Sequence, residues 1–516
     1  MLTSPRRLLV LDDDPTGSQC VHGVSVAFDE EPGPIRQTLA EPGSTCFVLT
    51  NTRALGEADA VAANRRIVEG VLATAGAAPA ADGTDSTSDE PAPASDAGGA
   101  APGDAPAGLH VVSRSDSTLR GHVIAEPNAI ADALEAAGRP VDAFLFCPAM
   151  IEAGRYTEDD VHYAMVQGEA RRVEDTDFAQ DATFGYAHSD LREFLEEKSG
   201  GAVPAAEVLS IGLGDIREGG VGRVVEILAE AAGRRWVVVN ATEYSDMEVV
   251  ADAVTELEAR GRVFVSRCGP SFVRPLAGQE GARVLDAEDI RAAGSGGRAA
   301  GPSDDAVEPS AAAGPDGEAA DSSVTARVDG AAPSRARHGL VVVGSHVGLT
   351  TRQLRAVQER GTLTEFELDV ARLLDGAQRE RHLEETVAAI RAELGRNDCV
   401  VYTSRERVST EDPDESLAIA RSVSDAVVRV VEEVRGALPA WVVAKGGITS
   451  HEVAHRGLGI RLATVAGQFF PGQISLFRPE EAPAETLGCP YVVFPGNVGG
   501  EQALADVVDR LREAEA

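Results

Sequence analysis

The chain has no paired cysteines. Cys20, Cys46, Cys147, Cys268, Cys399 and Cys489 stand singly, with no CxxC and no Cys/His group at zinc spacing. In a chain of 516 residues this pattern excludes a disulfide framework and a zinc ribbon, and points to reduced, buried thiols and a cytoplasmic protein. Long apolar runs are also missing. The first hydrophobic stretch breaks at Asp12, too early for a secretory leader, and no segment has the apolar length needed to span a bilayer. Aromatics are scarce at 4%, with Ala and Gly in their place. Positive charge is in deficit, giving a formal net charge of −36. This argues against binding nucleic acid or an anionic membrane, and any anionic substrate must meet a local Arg/Lys cluster. Neither GxxxxGK[ST] nor GxGxxG is present, which disfavours a P-loop or a Rossmann dinucleotide site.

What is there is α/β patterning. Strand-like runs alternate with helical ones at βα spacing. The expected fold is α/β, with two domains of mostly parallel sheets and an active site in the cleft between them. Two stretches rich in Ala, Gly, Pro, Ser and Asp lack large apolar side chains: about 75–108, and 292–338. They cannot offset the entropy of ordering, so they are expected to be a disordered insertion and a disordered linker or insertion. The expected domains are therefore 1–291 and 339–516. Strand expectations include 7–14, Val21–Phe28, Thr45–Thr50, Leu109–Ser113, Phe144–Cys147 and Asp398–Thr403, with a short strand and turn at Glu367–Leu374. Residues 411–434 read as one long helix with Pro413 in its first turn. Thr176–Ser189 reads as a long ordered loop carrying aromatics.

Chemistry-bearing residues fall at strand ends, where open α/β sheets bind ligands. The first strand ends in Asp12, Asp13 and Asp14, followed by Pro15, Thr16 and Gly17. Such carboxylates can orient a hydroxyl, accept its proton or hold a cation; the alternative is an acidic turn capping a helix. A second run holds Arg114, Ser115, Asp116, Ser117, Thr118, Arg120, Gly121 and His122. Arg presents a fork for a carboxylate or phosphate, and hydroxyls with Asp suit a polyol. A plain polar loop is the alternative. Glu152, Arg155 and His162 follow. Three glycine-bearing turns end strands in the second half: Gly344 with Ser345; Lys445, Gly446, Gly447, Thr449 and Ser450; and Gly496, Asn497 and Gly499. Glycine lets backbone N–H groups approach phosphates, although ordinary βα turns look the same.

These runs, in this order, resemble the four-carbon acid sugar kinase family over the whole chain apart from the two biased stretches. The signatures that carry the resemblance are Asp13-Asp14-Pro15-Thr16-Gly17, Asp116-Ser117-Thr118-Leu119-Arg120-Gly121, Gly154-Arg155 with His162-Tyr163, Gly344-Ser345 and Gly446-Gly447-Ile448-Thr449-Ser450. The resemblance implies an N-terminal sugar-acid domain, a C-terminal nucleotide domain, ATP with Mg²⁺, and phosphorylation of a small sugar acid. On this reading Asp13 or Asp14 is the base. Thr16, Arg114, Asp116, Ser117, Thr118, Arg120, Arg155 and His162 bind the acid. Ser345, Lys445, Gly446, Gly447, Thr449, Ser450, Gly496, Asn497 and Gly499 bind the nucleotide. Where the family has Lys-Ser-Gly-Asn-Phe-Gly this chain has Phe494-Pro495-Gly496-Asn497-Val498-Gly499, so the missing charge is sought in Lys445 or Arg461. The other readings kept open are a dehydrogenase or aldolase on the same acids, and a non-catalytic acid- and nucleotide-binding regulator. No metal ligands and no partner beyond small molecules are assigned, and self-association is left open.

Overall fold

The computed structural model describes residues 6–14, 16, 18–73, 108–294, 335–405, 413–496 and 498–515, with only the backbone of 413–417. Of the expected disordered stretches, about 75–108 and 292–338, residues 75–107 and 295–334 lie outside the described residues, as does the predicted site residue Asn497; residues 292–294 are not disordered but end the helix Ala287–Gly294.

The strands are apolar on both faces. Leu8 and Val10 point into one core, Leu9 and Leu11 into another, the pattern of a sheet covered by helices on each side. Eight parallel strands form the first half in the order Leu209–Ile211, Arg235–Val239, Ala143–Cys147, Phe264–Cys268, Leu109–Arg114, Arg7–Asp12, Thr45–Leu49, Ser25–Ala27. The two expected sheets are in fact one. Ser25–Ala27 pairs antiparallel with Leu462–Phe470, in the register Ala27 to Leu462 and Ser25 to Thr464. Leu462–Phe470 forms a hairpin with Gln473–Glu481. That hairpin joins Tyr491–Phe494, Val442–Lys445, Leu340–Val343, Asp398–Thr403 and Leu363–Leu368, and among the described residues completes a sheet of fifteen strands. A single core on one face runs through both halves, from Leu8 and Leu145 to Val342 and Val442.

Some boundaries differ from expectation for physical reasons. Val21–Phe28 contributes only Ser25–Ala27, because Gly23 turns with φ +64°. Around Glu367–Leu374 the strand ends at Leu368, and Asp369 caps the helix Val370–Leu374 through the N–H groups of Ala371 and Arg372. Leu285 and Ile290, within the expected first domain, and Ala293, at the start of the expected linker, pack in the core of the second half with Phe469 and Leu504.

A three-stranded antiparallel sheet, Arg155–Glu158, Val161–Val166 and Glu169–Arg172, stands apart. Its two-residue turns, Asp159-Asp160 and Gln167-Gly168, have positive φ at both positions, as tight hairpins of right-handed twist require. Among the described residues no helix is long and apolar enough to cross a membrane.

Candidate functional site

Four adjacent parallel strands end together: Arg7–Asp12, Thr45–Leu49, Leu109–Arg114 and Phe264–Cys268. Their pairing places the first acid run beside the second polar run. Asp13 N–H donates to the Arg114 carbonyl at 3.2 Å, and Ser115 N–H to that of Cys268 at 2.9 Å.

The three aspartates have different surroundings. Asp12 is fully buried; Arg114 donates to its Oδ1 at 2.6 Å, while its Oδ2 meets no partner. Burial pushes its pKa up to about 7 against the opposing charge of Arg114. Asp13 is also buried and is held on both oxygens, by Arg53 at 2.5 Å and by the Ser115 hydroxyl at 2.5 Å. Asp14 is 28% exposed and faces the cleft. Burial acts to raise its pKa, but the charges of Arg53 and Arg114 and two hydrogen bonds from Thr16 outweigh it and hold Asp14 below its ordinary value. Arg53 forks across Asp13 and Asp14. It was not singled out from the sequence, although its place at the end of a strand in Asn51-Thr52-Arg53 was visible.

A buried ion pair supports this wall. Arg267 donates to Glu126 at 2.7 Å, to the Ser113 hydroxyl at 2.8 Å and to the Ser115 hydroxyl at 2.7 Å. Gly121 closes the space: at φ +116° a Cβ there would lie 2.8 Å from Asp13 Oδ2 and 2.9 Å from Ser115 Oγ. Ser115 stands in the second polar run without an assigned role and Arg267 in no motif, and strand order brings both to the site.

The second polar run splits by direction. Asp116 accepts from Arg120 at 2.6 Å and from the Thr118 hydroxyl. Burial opposes its ionisation, yet the charges of Arg53 and Arg120 lower its pKa to about 2. Ser117 turns its hydroxyl to the Met150 sulfur at 3.7 Å, away from the cleft. His162, expected to touch substrate, is fully buried. Its Nε2 bonds the Ser117 carbonyl at 2.8 Å and its Nδ1 the Thr157 hydroxyl at 2.9 Å, so it holds the loop rather than a ligand. Burial lowers its pKa to about 4, so it stays neutral. Arg155 reaches the Phe178 ring and the Met150 sulfur.

Opposite this wall lie the glycine turns. A Cβ on Gly344 would sit 2.3 Å from Thr449 Oγ1, and one on Gly446, at φ +125°, 3.0 Å from Ser345 Cβ. The turns are thus in close mutual contact, and only glycine fits. Thr350 and Gln353, absent from the sequence assignment, tie them together: the Thr350 hydroxyl donates to the Gly496 carbonyl at 2.9 Å, and Gln353 to those of Val498 and Gly500. Arg405, also unassigned, donates to the Ser345 carbonyl at 2.7 Å. Lys445 does not face the cleft. It is fully buried, its Nζ donates to the Pro495 carbonyl at 2.5 Å and lies 4.0 Å from the Phe494 ring centre, and burial lowers its pKa to about 7. Ser450 is buried and bonds the Ala444 carbonyl. Gly499, at φ +82°, would meet Ala503. Arg461 is no substitute cation near the turns, since it pairs with Asp29 and Glu481 where the two halves join.

Between the walls is a cleft of about 420 Å³ lined by Asp13, Asp14 and Arg53 on one side and Ser345, Gly446 and Thr449 on the other. An apolar slot of about 200 Å³ adjoins it through Gly344, Ile448 and Thr449, lined by Val370, Ile419, Val423 and Val427.

Asp12 leaves a signature in stability. Its folded pKa of about 7 lies above the model-compound value of 3.8, so between these pH values the folded state keeps a proton that the unfolded chain has lost. Its contribution to stability therefore falls as pH rises through that window and is level above it. Asp12→Asn is expected to flatten this slope, read as the change in urea midpoint between about pH 5 and pH 8. An unchanged slope contradicts the assignment.

Comparison with known proteins finds two family models that match this chain. A family model described as a sugar-binding N-terminal domain matches residues 8–89 and 94–276, and one described as a nucleotide-binding C-terminal domain matches 340–504. Among solved structures, a Salmonella typhimurium LT2 protein provisionally described as a tRNA synthase is 16% identical with a TM-score of 0.61, over 97% of this chain and 98% of its own. The Haemophilus influenzae protein HI1011 is 16% identical with a TM-score of 0.57 over the same shares. At that identity they are alike in fold. A search of curated proteins finds no match. The chain belongs to the family that joins a sugar-binding N-terminal domain to a nucleotide-binding C-terminal domain.

Proposed function

We propose that the protein is an ATP-dependent kinase that phosphorylates a hydroxyl of a small, four-carbon-type sugar acid. The observation that carries this reading is the cleft in which Asp13 and Asp14 face Ser345, Gly446 and Thr449. Phosphoryl transfer needs an acceptor hydroxyl and a terminal phosphate in one water-poor space, with little covalent work for the protein. The glycine turns offer backbone N–H groups to phosphates, and the apolar slot beside them suits a nucleobase. The acceptor oxygen bonds to phosphorus as the bond to the leaving ADP breaks, and Asp14, ionised and facing the cleft, receives the hydroxyl proton.

Among the described residues no three His, Cys, Asp or Glu side chains converge as a metal cage. Mg²⁺ is commonly held largely by phosphates and water with few protein ligands, so a bound nucleotide would supply most of its coordination and leave Asp14 to the acceptor hydroxyl. When bound, the ion would offset phosphate charge. The tRNA-related label of the Salmonella neighbour is not adopted, because a net charge of −36 opposes binding a polyanion.

A coupled ADP-release assay across tetronates and 3-oxo-tetronates, with Mg²⁺, tests the proposal. ADP release dependent on one acid is the expected result. Acid binding without nucleotide binding would replace the kinase by a regulator, a reading drawn from Lys445, whose charge is spent on the 495–496 turn instead of the cleft.

A further inference from the structure

Each arginine of the acid-side wall but one is matched by carboxylates. Arg114 pairs with Asp12, and Arg53 with Asp13 and Asp14. Arg120 pairs with Asp116 at 2.6 Å and with Asp181 at 3.7 Å. Arg155 makes no ion pair among the described residues. Its Nε is buried without a partner, and among the described residues the one hydrogen bond of its guanidinium runs to the Met150 sulfur at 3.9 Å. Both Arg120 and Arg155 lie against the same ring, Phe178, at 5.4 and 5.7 Å from its centre.

Phe178 and Asp181 belong to one loop, and that loop is built onto the site. Asp181 Oδ1 accepts from the N–H groups of Thr183 and Phe184, which leaves Oδ2 for Arg120. The Tyr186 hydroxyl donates to the Thr118 carbonyl at 2.9 Å, and Phe184 meets His122 edge to face. The chain segment bearing Arg120 thus meets the loop at four residues, Phe178, Asp181, Phe184 and Tyr186.

We infer that this loop, together with Asp116, sets how many carboxylates the site accepts. Asp116 and Asp181 together neutralise Arg120, and Phe178 holds Arg155 beside it as the guanidinium of this wall that lacks an acid partner among the described residues, so that the ligand anchors a single carboxylate there and directs its hydroxyls to the aspartates. A second carboxylate on the same carbon chain would face Asp116 or Asp14 with no cation left to receive it. This rests on the reading of the first half as an acid-binding wall, and it adds a specificity loop to that reading.

The test measures acid binding to the full chain by calorimetry without nucleotide, with threonate and tartrate as probes. They share four carbons and differ by a second carboxylate. Wild type is expected to prefer threonate. Arg155→Gln is expected to weaken threonate by roughly tenfold to a hundredfold, the scale of a lost charge-assisted hydrogen bond. Asp181→Asn keeps the oxygen that accepts from Thr183 and Phe184 but leaves Arg120 balanced by Asp116 alone, and is expected to tighten tartrate by about tenfold relative to threonate. Wild-type affinity for threonate in Arg155→Gln, or equal affinity of wild type for the two acids, overturns the inference. Acid-dependent ADP release alongside unchanged threonate binding in Arg155→Gln would keep the kinase and remove the anchor. Binding that is sensitive to Arg155 without any ADP release would keep the anchor and remove the kinase.

Discussion

Replacing Asp14 with asparagine is expected to lower turnover by about 10²- to 10⁴-fold, the range contributed by a positioned general base, while nucleotide affinity stays as in wild type. The choice of Asp14 over Asp13 follows from how each is held. Asp13 is buried and committed on both oxygens to Arg53 and Ser115. Asp14 gives one oxygen to Thr16 and the other to Arg53 at 3.1 Å, and keeps an exposed face toward the glycine turns. Asp13→Asn should therefore lower the melting temperature together with activity, and Asp14→Asn should lower activity with little change in melting. Because Arg53, Arg114 and Thr16 hold Asp14 below its ordinary pKa, it is ionised throughout the neutral range, and its protonation adds no loss of rate there. The ADP-release assay reads the first effect and thermal denaturation the second. Asp14→Asn with wild-type turnover would remove the base from the proposed mechanism.

Arg267→Met is expected to destabilise the first half by about 3–5 kcal/mol, the usual cost of stripping one partner from a buried ion pair. Both Arg267 and Glu126 are buried to within 2%. Glu126 also accepts from the Thr52 hydroxyl at 2.5 Å, so its charge stays fixed in place when Arg267 goes. Removing both charges, as Arg267→Met with Glu126→Leu, should recover much of the loss, since an apolar pair of similar volume is often no worse than the ion pair. The two tryptophans allow the halves to be followed separately: Trp236 is in the first and Trp441 in the second. Urea unfolding in a Trp441→Phe background should show an early transition at Trp236 in Arg267→Met. Equal midpoints in wild type and variant would mean that the pair contributes nothing net.

Much of this arrangement was legible in the residues. Runs such as Leu8–Leu11 and Asp398–Thr403 are apolar without alternation, the pattern of strands covered on both faces, and the polar clusters fall where those strands stop. Motif reading was less able to separate residues that line the cleft from those that hold it in shape. Ser117, His162, Lys445 and Ser450 share motifs with cleft residues, but burial and hydrogen bonding turn them inward. Conversely, Arg53, Ser115, Arg267 and Gln353 gain their roles from strand order and long-range contacts. The hairpin strand Leu462–Phe470 was missed because Gly467 and a bulge at Val465 interrupt its alternation, and the short strand Ser25–Ala27 finds its neighbour more than 400 residues away.

That pairing bears on how such a protein can be divided and recombined. Between Ser25–Ala27 and Leu462–Thr464 the backbone ladder passes from one half to the other, reinforced by Gly23 N–H on the Val465 carbonyl at 2.7 Å and by Gln468 on the Val21 carbonyl at 2.5 Å. A chain severed in the segment between the halves would leave each fragment with a bare β edge of unmet N–H and C=O groups, the kind of surface that recruits another strand. The halves are therefore poor interchangeable modules. A nucleotide-binding half borrowed from a relative must bring a hairpin that fits this sugar-binding half in register, so the whole sheet is the part that has to be inherited together.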